Sequence, residues 1–223
     1  MVDRSKAPIS LKKRPKQARS ADLVRAILQA AVQVLAQEGA ARFTTARVAE
    51  RAGVSVGSLY QYFPNKAAIL FQLQSDEWRE TAGMLRDILA DTTYPPLDRL
   101  RTLVQAFLRS ECEEAAVRVA LDDAAPLYRD APEAREARAA GDRIIADFMR
   151  EVLPEMSCAT RDLAGDLITT TMRTVGKRFS AVPRTAEEIR AYADVMADMF
   201  CAYLRWLGEG QGFEPVQVPG RRP

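Results

Sequence analysis

The chain has 223 residues, 48% hydrophobic and 28% charged, with a formal net charge of +2. This is a globular composition, long enough for one or two domains with a sizeable core. The absence of His and the wide separation of the three Cys remove the commonest catalytic base and transition-metal ligand and leave no disulfide framework, so neither a metal nor a cofactor is expected.

No uncharged apolar run approaches the roughly 20 residues that cross a bilayer. The N-terminus is charged but has no apolar stretch of the kind that marks a signal peptide. A cytoplasmic protein without a membrane partner is expected. The charge is uneven along the chain. Residues 1–66 hold 12 Lys and Arg against 4 Asp and Glu, and residues 67–223 hold 20 against 26. A basic head on an acidic body fits a DNA-binding module joined to a regulatory one.

In chain order, residues 1–19 read as a flexible basic arm, with Arg4, Lys6, Lys12, Lys13, Arg14, Lys16 and Arg19 against Asp3. Such an arm follows a groove or the phosphates, or is a solvated tail; both readings stand. The first helix is predicted from Ser20 to about Glu38, where Ser20 caps it and Gly39 ends it. Val24, Ile27, Leu28, Ala31, Val34 and Leu35 form its buried stripe.

Phe43 to Lys66 reads as two short helices joined by a tight turn. Thr44 or Thr45 caps the first, and Val48, Ala49 and Ala52 line one face of it. Gly53 supplies the left-handed backbone position of the turn. Ser55 caps the second helix. Leu59 and Phe63, four apart, point inward. At about 100° per residue, Gly57, Ser58 and Gln61 then face outward, with Tyr60 and Tyr62 on the flanks. Ser58 and Gln61 reach base edges in a major groove, and Gln pairs with adenine at about 1–3 kcal/mol of discrimination. Tyr60, Tyr62 and Lys66 suit phosphates, which position a helix without reading sequence. Pro64 ends the helix and Asn65 caps the next.

Phe43-Thr-Thr, Val48-Ala49, Ala52-Gly53-Val54-Ser55, Gly57-Ser58-Leu59-Tyr60, Tyr62-Phe63 and Lys66 together resemble the signature of the tetracycline-repressor (TetR) family of transcription regulators. The resemblance covers Ser20 to Lys66 in order. It implies a dimeric, all-helical regulator with a divergent ligand domain. It also implies phosphate contacts at Thr45, Tyr60 and Lys66, and base contacts at Val56, Gly57, Ser58 and Gln61. Arg47 and Ser55 complete the expected DNA-binding set.

The same stretch contains Gly53-Val54-Ser55-Val56-Gly57, a G-x-S-x-G match to a hydrolase nucleophile elbow. That elbow needs a preceding strand and a His. The preceding segment is helical in pattern and the chain has no His, so no enzyme is expected. Asp122-Asp123 reads as a solvated helix end.

Beyond residue 66, a long helix through Trp78 and Met84 to about Ala90 is predicted to link the DNA unit to the body. Tyr94-Pro95-Pro96 breaks the chain. Helices follow at Leu97–Cys112, Ala115–Asp123, Glu133–Val152, Cys158–Phe179 and from Thr185, where Thr185 and Glu188 form a capping box. The expected fold is all-α: an N-terminal three-helix DNA-binding unit with a helix-turn-helix (20–66), a larger helical ligand-binding and dimerisation domain (67–208), and a disordered tail (209–223).

The last two helices are expected to form a homodimer interface through Leu167, Met172, Val175, Met196, Phe200, Tyr203 and Leu204. Large residues of the middle helices (Trp78, Met84, Phe107, Phe148, Met149 and Met172) are expected to line an apolar effector pocket, and Glu111, Glu113 and Glu114 face solvent. The favoured reading is a ligand-responsive repressor of a near-palindromic double-stranded DNA operator, released by a small apolar effector. A redox-responsive regulator using Cys112, Cys158 or Cys201, and a nonspecific architectural DNA-binding protein, remain as alternatives. Buried, inert cysteines are favoured over redox sensing.

Overall fold

The computed structural model describes residues 18–127 and 132–211. Most of the basic arm (1–17) and most of the tail (212–223) lie outside the described residues. Among the described residues there are nine α-helices and no strand. They are α1 (Ala18–Arg42), α2 (Thr45–Arg51), α3 (Val56–Tyr60), α4 (Lys66–Leu89), α5 (Pro96–Glu113), α6 (Ala115–Ala124), α7 (Pro132–Val152), α8 (Cys158–Phe179) and α9 (Ala186–Trp206). The all-α fold is as expected, and Gly53, Pro64, Pro95 and Pro154 lie in breaks between helices. α1 differs in one respect. It breaks at Gly39, at φ 72°, but a further helical turn runs on to Arg42.

Two compact units result. One comprises the chain up to Thr81 together with Glu114–Ala139, and the other comprises Ala82–Glu113 together with the chain from Ala140. The expected division at residues 66/67 is therefore replaced by one that the chain crosses three times. The physical reason is α6. Its buried Ala120, Leu121 and Ala124 join the same apolar cluster as Ile27, Leu35, Leu59 and Phe63. α6 packs on α1. Arg118 of α6 adds ion pairs to Glu77 of α4 at 2.5 Å and to Glu114 at 3.0 Å. A three-helix unit of about 45 residues is marginal alone, and α6 and the first part of α4 enlarge its core.

The second unit is built on α5, which packs against α9 and α8. Leu100, Leu103, Val104 and Leu108 of α5 meet Ala164, Ile168 and Met172 of α8 and Ala193, Ala197 and Phe200 of α9 in one buried cluster. Small residues permit the closest approaches. A Cβ on Gly176 of α8 would lie 2.9 Å from the Phe107 ring, and one on Gly165 would lie 3.1 Å from Ile145. Polar links flank the α5–α9 seam: Arg101 pairs with Asp198, and Gln105 donates to Asp194 at 2.8 Å. The capping box at α9 is formed by Thr185 and Glu188.

Candidate nucleic-acid interface and effector region

The frame of the helix-turn-helix is set by local hydrogen bonds. Thr44 caps α2, and its hydroxyl accepts from the Arg47 N–H at 3.3 Å. The turn closes with Gly53 N–H donating to the Glu50 carbonyl and Val54 N–H to that of Ala49. Gly53 takes φ 68°, as the turn requires. Ser55 caps α3, its hydroxyl accepting from the Ser58 N–H at 3.0 Å. Leu59 and Phe63 are fully buried. Asn65 caps α4 by accepting from the Ala68 N–H at 2.9 Å, which leaves Lys66 exposed at the start of that helix.

The outer groups differ in how free they are. The Ser58 hydroxyl shares a 2.8 Å hydrogen bond with that of Ser55. The Tyr60 and Thr45 hydroxyls lie 3.0 Å apart and tie α3 to α2. Arg47 is drawn back into an ion pair with Glu38 and a hydrogen bond to the Arg42 carbonyl. Arg51 is held in the same way by Gln37 and Gln33. Val56, Gly57 and Gln61 are exposed. Tyr62 corrects the expectation of two flanking tyrosines: it is only 7% exposed and belongs to the core cluster. α3 ends at Tyr60, so the 100° step does not carry on to residue 62.

The expected effector residues divide between the two units, and Trp78 is set apart from the other five. Trp78 packs against the core of the first unit. Met84, Phe107, Phe148, Met149 and Met172 belong to the core of the second or pack against it. Two clefts indent the second unit. One, of about 280 Å³, lies between α7 and α8 and is lined by Ile145, Met149, Gly165 and the carboxylates of Asp142, Asp162 and Asp166. The other, of about 410 Å³, is bordered by Pro95–Asp98, Glu151, Val152 and Arg205. Of the expected set only Met149 reaches either cleft. The acidic segment also differs from expectation. Glu111 is buried beside Gly176, and Glu114 is paired with Arg118.

The expected interface residues divide in two. Met172, Met196, Phe200 and Leu204 are buried within this one chain, and Val175 and Tyr203 are half-buried. Leu167 alone of the set is half-exposed. Apart from Leu167, the apolar surface of α8 and α9 is carried by residues outside the expected interface set. Leu163 joins Leu167 on α8, and Tyr192, Val195, Met199 and Trp206 lie on α9. The signal was present: positions 192, 195, 199 and 206 repeat at helical spacing beside the buried stripe, as 163 and 167 do on α8.

The cysteines also differ from one another. Cys201 is buried and donates weakly to the Leu97 carbonyl, Cys112 is half-buried, and Cys158 is exposed, contrary to the expectation of burial. Burial pushes the thiols of Cys112 and Cys201 up, away from the reactive thiolate.

A capped helix-turn-helix built into an all-helical chain is a regulator's architecture, and comparison with known proteins agrees. The family model for bacterial regulatory proteins of the tetR family matches residues 27–73, and that for a tetracyclin repressor-like C-terminal domain matches residues 95–207. The chain belongs to the TetR family of transcriptional regulators.

The nucleoid occlusion factor SlmA of Vibrio campbellii is 40% identical over 84 residues, covering 37% of this chain and 42% of that protein. An uncharacterized HTH-type transcriptional regulator of Mycobacterium bovis is 32% identical over 117 residues, covering 52% and 49%. The chain thus spans less than half the length of these curated relatives. Among solved structures, Thermus thermophilus FadR, a TetR-family repressor in complex with lauroyl-CoA, superposes with a TM-score of 0.55 at 22% identity, covering 89% of this chain and 100% of that one. The SmeT–triclosan complex superposes with a TM-score of 0.60 at 20% identity, covering 91% and 99%. At these identities the likeness is one of fold. No described helix is long and apolar enough to cross a membrane.

Proposed function

We propose that this protein is a ligand-responsive, sequence-specific repressor that binds a near-palindromic operator as a homodimer. The observation that carries the reading is the exposed face of α3, held at both ends by Ser55 and by the Tyr60–Thr45 hydroxyl contact. A helix fixed in this way presents Val56, Gly57 and Gln61 in a constant pose, which base readout requires. Thr45, Tyr60 and Lys66 surround it with groups suited to phosphate.

Pairing of two copies through Leu163, Leu167, Val195 and Met199 supplies the two-fold symmetry. Two recognition helices must then match one turn of DNA, about 34–36 Å. The effector is a small, largely apolar molecule bound in the second unit. Triclosan, named for SmeT, has that character, and lauroyl-CoA, named for FadR, carries an apolar acyl chain on a large anionic group. Release follows when the ligand favours a state whose helix spacing no longer fits the operator. α4 carries residues of both units, and α6 follows directly on α5, so both offer a covalent route for this shift.

Selection of bound DNA from a random pool tests the reading. An enriched motif with two-fold symmetry, occupied by two chains, is the expected result. Binding of all sequences alike would sink it. Addition of triclosan, with lauroyl-CoA for comparison, to the complex then tests the effector class.

A further inference from the structure

α3 and its C-cap residue Gln61 carry no cation, and Val56 and Gln61 are the exposed side chains there that make no hydrogen bond among the described residues. Ser55 and Ser58 are engaged in the cap and with each other, and Tyr60 with Thr45, and the hydroxyl capacity they keep does not distinguish one base from another. Arg47 is held by Glu38, and Arg51 by Gln33 and Gln37. Val56 is 40% exposed, a methyl-bearing side chain on the flank it shares with Tyr60. Gln61 is exposed, and among the described residues its side-chain amide makes no hydrogen bond. Gly57 lies between them on the outermost line of the helix. A Cβ there would meet nothing nearer than the Ser55 hydroxyl at 3.8 Å. The fold therefore does not need a glycine at this position. A glycine there leaves the backbone open to close approach by a ligand.

Guanine is read in the major groove chiefly by Arg or Lys, adenine by an Asn or Gln amide, and thymine by apolar contact with its methyl group. From this division of free and committed groups, we infer that α3 reads A·T pairs only, Gln61 recognising an adenine edge and Val56 a thymine methyl. The inference rests on the reading of the protein as a sequence-specific DNA-binding regulator and names the chemistry of its half-site.

Single-atom changes in the DNA test it. In the operator recovered by selection, each thymine of a half-site is replaced in turn by deoxyuridine, which removes the methyl and leaves base pairing intact. One replacement should weaken binding of the unaltered protein about three- to fivefold, the value of one buried methyl group. Val56→Ala should lose the same factor on the thymine operator and be indifferent to the replacement. Val56→Thr, which keeps a methyl, should remain sensitive. Gln61→Ala should lose its preference for one A·T pair by roughly 5- to 150-fold. Circular dichroism confirms that each variant is folded. If a motif is enriched yet every deoxyuridine substitution is neutral, or if α3 sits over G·C pairs, the base assignment is wrong and the regulator reading survives. If no motif is enriched, both fall.

Discussion

The recognition segment and the body hold their helices by different means. From Thr44 to Ala68 the caps and turns join partners three to five residues apart, and the Tyr60–Thr45 hydroxyl contact reaches only 15. In the second unit the decisive contacts join residues about 50 to 100 apart, such as Arg99 with Glu151 and Arg101 with Asp198. In the first region the outer face is therefore free to change with little effect on folding. In the second, core and surface alternate along one helix, and neighbouring residues of α9 serve opposite purposes. Phe200 is 3% exposed, and Met199 beside it is 52% exposed.

That alternation gives the sharpest way to break the comparison. Phe200→Glu places a charge without a partner in the packed seam of α5 and α9. It should cost the fold about 3–5 kcal/mol or more, from the lost ring and the buried carboxylate together. Met199→Glu should leave helicity and melting temperature nearly unchanged and convert dimers to monomers in sedimentation. If Met199→Glu stays dimeric, the exposed stripe is not the interface. If Phe200→Glu stays folded, the seam is looser than its burial indicates.

A smaller effect is expected where α8 meets α5. Gly176→Ala sets a methyl 2.9 Å from the Phe107 ring. The neighbouring helices must move, at about 1–3 kcal/mol. Urea unfolding with operator binding as a second readout would distinguish a simple loss of stability from a change in regulation.

How much of this was legible in the sequence follows from the same contrast. Thr44, Gly53, Ser55 and the Thr185–Glu188 box were readable because a cap or turn is specified by residues within one helical turn of each other. The inward pair Leu59 and Phe63 was readable for the same reason. Tyr62 was misplaced because helical periodicity was carried past the end of a five-residue helix. The α9 stripe of Met196, Phe200 and Leu204 was seen, but not that α5 already covers it. Which of two adjacent apolar stripes is internal depends on a helix about 90 residues away. The placement of α6 in the core of the first unit was hidden likewise, since Leu121 and Ile27 are far apart in sequence. The expected effector residues are large apolar side chains, and size alone does not separate a side chain that fills a core from one that lines a cavity.

Two glycines in the recognition segment should respond with opposite signs. Gly53 has φ 68°, and Gly53→Ala strains the turn by about 1 kcal/mol. Gly57 is helical with room for a methyl. Gly57→Ala should raise stability by about 0.5–1 kcal/mol and yet weaken operator binding, because the added group meets DNA. Thermal melts of the free protein and titration of the operator, run side by side, check both. If Gly57→Ala binds as well as the original, the helix does not approach the bases through this residue.

The smallest expected effect is a pH dependence at the junction of α4 and α6. Glu77 is largely buried. Desolvation raises its carboxyl pKa above the usual range, although Arg118, Thr81 and Gln74 all favour the charged form. In the unfolded chain the same carboxyl titrates near the ordinary Glu value. Between the ordinary and the raised pKa, the folded state therefore holds more protons than the unfolded state. Stability from this site must fall as pH rises through that window, and it levels off above the raised value. Glu77→Gln keeps an acceptor for Arg118 and the contacts to α6 but cannot titrate. The slope of stability against pH over this window should be shallower in the variant, with the two proteins compared by urea midpoint at several pH values. A variant with the same slope as the original would mean that Arg118 already holds Glu77 ionised at the lower edge of the window, and that the ion pair outweighs burial at this joint.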